Sequence, residues 1–121
     1  MIKGIGTDII EISRIKKSMD NPRFLEKNFT DSENEYFIKR KMSAESVAAA
    51  FAAKEAFSKA IGTGILGFSH KDIEILHKES GAPYIKLYNS AQEIFGNGNI
   101  HLSLSHSREY ATAVVVIEEG I

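Results

Sequence analysis

A helix-forming stretch that ends at a glycine constrains this chain more than any other feature. From about Ala44 to Ile61, Ala, Glu, Lys and Phe outnumber β-branched residues, and apolar residues recur at spacings of three and four. Gly62 follows, and a glycine directly after a helix commonly adopts the left-handed conformation that ends it. The sequence therefore predicts a long central helix that stops at Gly62, followed by a loop that begins with Thr63 and Gly64.

One face of this helix carries a carboxylate and an ammonium group. Phe51, Glu55 and Lys59 stand one above another at intervals of four residues, with Ser58 alongside. A Glu followed four residues later by a Lys is commonly a surface ion pair, which contributes a few tenths of a kcal/mol to helix stability. The alternative is that Glu55 and Lys59 belong to a functional site. Asp8, Pro83 and His106, which are further candidate site residues, favour this alternative.

The composition narrows the class of protein. The 121 residues predict one domain, residues 1–121, with its own hydrophobic core. Because there is no cysteine, a metal would be bound by oxygen or imidazole. No stretch approaches a membrane span of roughly 18 apolar residues or a signal peptide, so we expect a cytoplasmic protein. The 15 basic and 16 acidic residues give a net charge of -1, which provides no general attraction to nucleic acid.

The N-terminal segment predicts a short strand that contains two glycines and ends at an acid. Gly4, Gly6 and Asp8 alternate with larger residues, and glycines in a strand let another backbone or a ligand approach closely. Asp8 has two interpretations. It is the N-cap of a following helix, with Glu11 completing a capping box, or it is a metal ligand at a strand-to-helix junction.

Basic side chains concentrate on and after the first predicted helix. This basic stripe consists of Arg14, Lys16, Lys17, Arg23 and Lys27. It is either a solvated helix surface or a docking surface for an acidic protein.

Further elements follow from turn signals and alternation. Thr30 and Glu33 form a capping-box pattern that opens a helix to about Lys41. Strands are expected over residues 72–77 and 83–88, a short helix over 89–95, and a second hairpin over 100–106 and 110–117. The last strand is almost continuously apolar, which predicts burial on both faces and a subunit interface that covers one of them.

Four motifs in series resemble holo-acyl-carrier-protein synthase, the short bacterial type of 4′-phosphopantetheinyl transferase. They are Gly4–Ile9, Phe51–Gly64, Gly81–Tyr84 and His101–His106. Each motif alone is weak, but their order and spacing match the family from Ile2 to Val116. The resemblance implies an α+β fold, the 4′-phosphopantetheinyl transferase fold, in which an antiparallel sheet packs with a long central helix.

The resemblance also implies an activity. The phosphopantetheine group of coenzyme A is transferred to a serine of apo-acyl carrier protein, and adenosine 3′,5′-bisphosphate is released. The implied reaction depends on Mg²⁺ and supports fatty acid biosynthesis in lipid metabolism. The implied assembly is a homotrimer whose active sites are shared between neighbouring subunits.

Matching positions carry the family's functional residues onto this chain. The implied magnesium ligands are Asp8 and Glu55, and the implied catalytic residues are Glu55, Lys59 and Asp8. Coenzyme A contacts are implied for Lys54, Lys59, Gly62, Gly81, Pro83 and His106. Arg14 would belong to the helix that meets the carrier protein.

One departure from the family and three alternatives remain open. The family often has an Arg before the Phe-Ala-Ala-Lys-Glu motif, whereas this chain has Ala50, and Lys54 is a candidate to replace that phosphate contact. His106 is otherwise interpreted as an exposed polar residue at a strand end. A Mg²⁺-dependent hydrolase of a nucleotide diphosphate would differ by needing no acceptor protein. A non-enzymatic module that binds coenzyme A would give no metal-dependent product.

Overall fold

The computed structural model describes residues 1–62 and 68–120. The elements in this part of the chain are β1 (Ile2–Glu11), α1 (Ile12–Ser18), α2 (Pro22–Asn28), α3 (Asp31–Lys39), α4 (Ala44–Ile61), a 3-10 helix (His70–Asp72), β2 (Ile73–His77), β3 (Pro83–Leu87), α5 (Asn89–Phe95), β4 (Gly98–His106) and β5 (Tyr110–Glu119). Helices and antiparallel sheets combine in one structure, which confirms the predicted α+β class. Among the described helices, none is long and apolar enough to cross a membrane.

Two antiparallel sheets are formed, and both predicted hairpins are present. The larger sheet has the strand order β1-β5-β4, and the smaller sheet pairs β2 with β3. β1 continues to Glu11, and Asp8 lies inside it, opposite Ala113 of β5. The N-cap interpretation of Asp8 is therefore wrong. α1 begins after Glu11, and no side chain caps it there.

α4 is the helix that the sequence predicts, and its ends are fixed by local chemistry. The Ser43 side chain accepts a hydrogen bond from the Ser46 amide at the N-terminal end. Gly62 ends the helix with a φ of 85°, the left-handed conformation that glycine favours. The predicted loop at Thr63 and Gly64 lies outside the described residues.

β1 lies directly against the backbone of α4. A Cβ added at Gly6 would lie 1.9 Å from the carbonyl oxygen of Ala56, and one at Gly4 would lie 2.1 Å from that of Ala60. The two glycines therefore let a strand and a helix approach closely, as the sequence predicts. This contact brings Asp8, further along the same strand, beside the C-terminal half of α4.

β5 is buried on one face only, whereas the sequence predicts burial on both. Alternate residues along the strand are buried in the core, namely Ala111, Ala113, Val115 and Ile117. Val114, by contrast, is 41% exposed on the opposite face, where Ile5 and Ile9 of β1 are also exposed. An antiparallel strand with one covered face and one open face follows the ordinary period of two.

Candidate active site

Asp8 and Lys59 meet where β1 crosses α4, and Glu55 lies one helical turn before Lys59. We call these three residues the carboxylate–lysine site. The Lys59 Nζ atom lies 3.1 Å from Asp8 Oδ1 and donates to the Thr7 carbonyl oxygen at 3.0 Å. Glu55 lies one helical turn before Lys59, and its Oε1 is 3.6 Å from His70 Nε2. Lys59 thus pairs with a residue of another element. The interpretation as a simple Glu55–Lys59 surface pair is wrong.

The chemistry of these side chains fits a magnesium ion. The Asp8 and Glu55 side chains are 16% and 26% exposed, so both carboxylates are reachable from solvent. In residues 1–62 and 68–120, no three His, Asp or Glu side chains cluster to hold a metal by themselves. Mg²⁺ commonly uses one or two carboxylates and completes its coordination with water and substrate phosphates. The carboxylates of Asp8 and Glu55 would fit such a partial set of ligands.

A second candidate region is a cavity of about 600 Å³ on another part of the surface. Three of the residues predicted to contact coenzyme A, namely Gly81, Pro83 and His106, line this cavity. The structure brings them together although they come from the β2–β3 turn, β3 and the end of β4. We call this space the basic cavity because three consecutive cations, Lys39–Lys41, also line it.

One wall of the basic cavity is a stack of flat side chains that sequence reasoning missed. The Tyr36 and His77 rings are parallel within 5°, with centroids 4.0 Å apart. The Arg40 guanidinium lies 5.7 Å from the centroid of the Tyr36 ring. Burial, assisted by the charge of Arg40, lowers the pKa of His77. No sequence spacing links positions 36 and 77, so only the fold reveals this wall.

Ala50, the position where the family often has an Arg, lies in the same cavity as three cations. Ala50 lines the cavity and offers no charge there, whereas Lys39, Arg40 and Lys41 do. The turn after α3 brings them to the cavity, and Lys41 and Met42 both adopt positive φ values, 58° and 53°. Such values are uncommon for residues other than glycine, so this turn is held by its surroundings.

Lys54 does not point into either region. Its side chain is fully buried, and its Nζ donates to Glu33 Oε1 at 2.8 Å. It also donates to the carbonyl oxygens of His70 at 2.7 Å and Ile73 at 2.6 Å. All three ammonium protons are thereby used inside the core. The prediction that Lys54 contacts coenzyme A, or replaces the missing Arg, is therefore wrong.

The remaining predicted residues have clear positions. Gly62 directly follows α4 and comes shortly after Lys59, but it does not line the basic cavity. Arg14 is exposed on α1, on the same helix as the exposed Lys16 and Lys17. None of the three members of the carboxylate–lysine site lines the basic cavity. A single chain therefore presents the predicted site as two separate halves.

Sequence comparison identifies the class of this protein. The sequence profile of the 4′-phosphopantetheinyl transferase superfamily matches residues 4–115. The chain therefore belongs to that superfamily.

Individual relatives narrow the class further. The holo-[acyl-carrier-protein] synthase of Clostridium perfringens strain 13 is 52% identical over 126 residues, which covers 98% of this chain and 95% of that protein. A crystal structure of the Bacillus anthracis holo-(acyl-carrier-protein) synthase, in complex with CoA (3′,5′-ADP), has a TM-score of 0.86 and 42% identity and covers 99% of both chains. The Helicobacter pylori holo-[acyl-carrier-protein] synthase, in complex with coenzyme A, has a TM-score of 0.84 and 36% identity over 94% of this chain and 99% of that one. This chain groups with the holo-acyl-carrier-protein synthases, as its four motifs predict.

Proposed function

We propose that this protein transfers the 4′-phosphopantetheine group of coenzyme A to a serine of apo-acyl carrier protein in a Mg²⁺-dependent reaction. The grouping of Asp8, Glu55 and Lys59, in a chain of this superfamily, is the observation that carries the proposal. The serine oxygen forms a bond to the phosphorus that bears the pantetheine. The bond from this phosphorus to the bridging oxygen breaks, and adenosine 3′,5′-bisphosphate leaves with that oxygen.

Each residue of the carboxylate–lysine site has a role in this reaction. A magnesium ion held by Asp8 and Glu55 would neutralise charge on the diphosphate. Lys59, whose side chain is 57% exposed, is free to turn from Asp8 toward the same diphosphate. Glu55, directly or through a bound water, accepts the serine proton. Positioning and charge neutralisation are sufficient, and no covalent enzyme intermediate is needed.

The basic cavity suits the adenosine bisphosphate end of coenzyme A. Lys39, Arg40 and Lys41 supply the positive charge that phosphates require, and His106 adds a ring-nitrogen donor. The stacked Tyr36 and His77 rings give the cavity a flat aromatic boundary.

The separation of the two halves supports a homotrimer with shared sites. Asp8 lies on β1 and His106 on β4, which are the opposite edge strands of the β1-β5-β4 sheet. One molecule of coenzyme A would contact both halves if the Asp8 edge of one subunit met the His106 edge of its neighbour. The exposed Ile5 and Ile9 of β1 and the exposed Val114 of β5 provide an apolar surface on the open face of this sheet for the contact. Arg14 and the basic stripe would then meet the acidic carrier protein.

Mass spectrometry of apo-acyl carrier protein tests the proposal. Incubation with this protein, coenzyme A and Mg²⁺ should add one phosphopantetheine to the carrier protein, and chelation of the metal should prevent it. Asp8→Asn should slow transfer by at least about a hundredfold. Glu93→Gln, which changes an exposed carboxylate of α5, is the matched control and should not slow it. A carrier protein of unchanged mass at high enzyme concentration would contradict the proposal.

A further inference from the structure

Three stacked side chains in the wall of the basic cavity lead from the smaller sheet to a cation. His77 ends β2, the Tyr36 ring is parallel to the His77 ring at 4.0 Å, and the Arg40 guanidinium lies over the Tyr36 ring at 5.7 Å from its centroid. All three residues line the cavity. The proposed reaction uses the two rings only as a flat boundary and gives them no effect on Arg40.

The backbone of Arg40 is held from both sides. Its amide donates to the carbonyl oxygens of Tyr36 and Phe37, both at 3.1 Å, and its own carbonyl oxygen accepts from the Ser43 amide at 3.2 Å. Arg40 is the C-cap of α3, and Ser43 is the N-cap of α4. The start of the Arg40 side chain is therefore fixed between two helices, and only the rotation of the side chain remains to be set.

The two rings restrict that rotation. Tyr36 is half-buried and lies against His77, whose backbone pairs with Pro83 of β3. A guanidinium over an aromatic ring is attracted to the ring, and its flat shape lets it stack there. Burial first, and the charge of Arg40 second, lower the pKa of His77, so the imidazole is uncharged at neutral pH and does not repel the guanidinium.

The electrostatics of the wall favour an anion beside Arg40. Among residues 1–62 and 68–120, no carboxylate forms an ion pair with this guanidinium. The cavity wall carries one carboxylate, that of Glu45, and three cations, Lys39–Lys41. A guanidinium can donate two parallel hydrogen bonds to one phosphate, whereas a lysine ammonium acts as a point charge. Arg40 is thus the cation of this wall whose direction is set and whose shape matches a phosphate.

We propose that Tyr36 and His77 are positioning residues that hold Arg40 in the direction of the 3′-phosphate of coenzyme A. A cation whose direction is already set loses less conformational freedom on binding than a mobile one, so it binds the phosphate more tightly. The preference for coenzyme A over its 3′-dephospho form should therefore depend on both rings, without either ring touching the phosphate. The inference rests on the proposed function, because that function places the adenosine bisphosphate end of coenzyme A in the basic cavity.

Calorimetry with Mg²⁺ present and carrier protein absent measures the dissociation constants of coenzyme A and of 3′-dephospho-coenzyme A. The readout is the ratio of the two constants, because the ligands differ only in one phosphate and a general change of cavity shape would weaken both equally. We expect the wild-type protein to bind coenzyme A at least about tenfold more tightly, and Arg40→Ala to lose most of this preference. Arg40→Lys keeps the charge without the planar fork and should reduce the ratio about threefold.

Paired substitutions of the rings test the positioning role. Tyr36→Leu and His77→Ala remove a ring and should reduce the ratio about threefold, whereas Tyr36→Phe and His77→Phe keep a ring and should change it by less than about 1.5-fold. Tyr36→Leu should have no further effect in the Arg40→Ala background, because it acts through Arg40. Lys86→Gln is the matched control. Lys86 lies over the Tyr88 ring at 5.3 Å from its centroid but does not line the basic cavity, so its loss should leave the ratio unchanged.

The outcomes separate the positioning role from the proposed reaction. If Tyr36→Leu and His77→Ala weaken both ligands equally, the rings only support the cavity and the inference is overturned. It is also overturned if Arg40→Ala keeps the wild-type ratio or if the wild-type protein binds both ligands equally, and neither of these results excludes transfer to a carrier protein. If the wild-type protein prefers coenzyme A but does not modify a carrier protein, the proposed reaction fails and the Arg40 series still decides the positioning role. Binding of neither ligand overturns both.

Discussion

Lys54 and Lys59 show, at the scale of single residues, how the same side chain is part of the core in one place and part of an exposed candidate site in another. Lys54 is fully buried with three acceptors, whereas Lys59 is 57% exposed beside Asp8. Burial lowers the pKa of Lys54 and raises that of its partner Glu33, because each charge has lost its water. Glu33 also accepts hydrogen bonds from the amides of Thr30 and Ile75. The pair thus ties α3, α4 and β2 together.

Removing the buried cation should destabilise the protein. Lys54→Met leaves the Glu33 carboxylate buried without its counter-charge, and the expected loss is about 3–5 kcal/mol in the free energy of unfolding. Lys59→Met is the matched control and should change it by less than about 0.5 kcal/mol. Urea denaturation measures both. Equal stabilities for the two variants would mean that the Lys54–Glu33 pair does not hold the core together.

His77 gives a pH dependence whose sign follows from its environment. Its pKa is lowered in the folded protein, by burial first and by Arg40 second, relative to about 6.5 in the unfolded chain. The neutral ring is therefore favoured by folding. This contribution is fully present above about pH 6.5 and is lost as the pH falls through the lower folded value.

His77→Phe should remove that dependence, because phenylalanine keeps a ring against Tyr36 and cannot be protonated. The stability difference between wild type and variant should be constant above pH 7 and should shift against the wild type as the pH falls below about 6.5. Denaturation at several pH values measures the difference. A difference that is independent of pH would show that folding leaves the pKa of His77 unchanged.

At the scale of elements, the contact between β1 and α4 depends on the absence of a side chain. A methyl group at Gly6 would overlap the Ala56 carbonyl of α4, which is backbone and cannot move aside by itself. Gly6→Ala should therefore separate β1 from α4 and destabilise the protein by several kcal/mol, at or above the usual range of about 1–3 kcal/mol for overpacking. Lys59 would lose its contact with Asp8 at the same time.

Gly62→Ala is the control for Gly6→Ala. Among residues 1–62 and 68–120, no atom lies within 4 Å of a Cβ placed at Gly62, and the φ of 85° opposes the change. The expected loss is about 1 kcal/mol. Thermal unfolding of the two variants measures the difference in their stability. Equal stability of Gly6→Ala and Gly62→Ala would show that the contact between β1 and α4 tolerates a methyl group.

α1 is the element that we expect to meet the carrier protein. Opposite charges across an interface mainly raise the association rate and fix orientation, and salt screens both effects. Arg14→Glu should raise the KM for carrier protein severalfold and leave the KM for coenzyme A nearly unchanged. Steady-state kinetics at two ionic strengths measures this, with Lys78→Glu, in the β2–β3 turn, as the control. Wild-type carrier kinetics for Arg14→Glu at both ionic strengths would end the docking proposal.

At the scale of the whole molecule, the two faces of β5 predict opposite effects for adjacent substitutions. Val114 is exposed on the open face of the sheet, so Val114→Asp should dissociate the proposed trimer into folded subunits. Val115 is fully buried against the core, so Val115→Asp should unfold the subunit itself. Analytical ultracentrifugation and circular dichroism separate the two results. A wild-type protein that is an active monomer would contradict the shared-site proposal.

Complementation tests the sharing of sites directly. Asp8→Asn and His106→Ala each damage a different half of the proposed site, and each homotrimer should be inactive. When the two are unfolded, mixed equally and refolded together, about one site in four should combine two intact halves by random assembly. Activity near a quarter of wild type is therefore expected. No recovery in verified mixed trimers would mean that both residues act within one subunit.

The sequence alone determined what depends on local spacing. The alternation of glycines before Asp8, the long apolar repeat of α4 and the stop at Gly62 each act within a few residues. α4 formed with the predicted bounds, and the N-terminal strand formed but continues three residues past its predicted end at Asp8. The four motifs also identified the family, because their order along the chain can be read without knowing the fold.

Tertiary structure decided what depends on contacts between distant segments. Lys54 and Lys59 lie five positions apart on one helix, and only the packing of α3 and β2 on one side and of β1 on the other turned one into the core and the other toward Asp8. The stack of Tyr36 on His77 and the approach of His70 to Glu55 join segments whose separation in sequence carries no signal. Burial and long-range pairing are properties of the whole fold, so residue types and local spacing could not specify them.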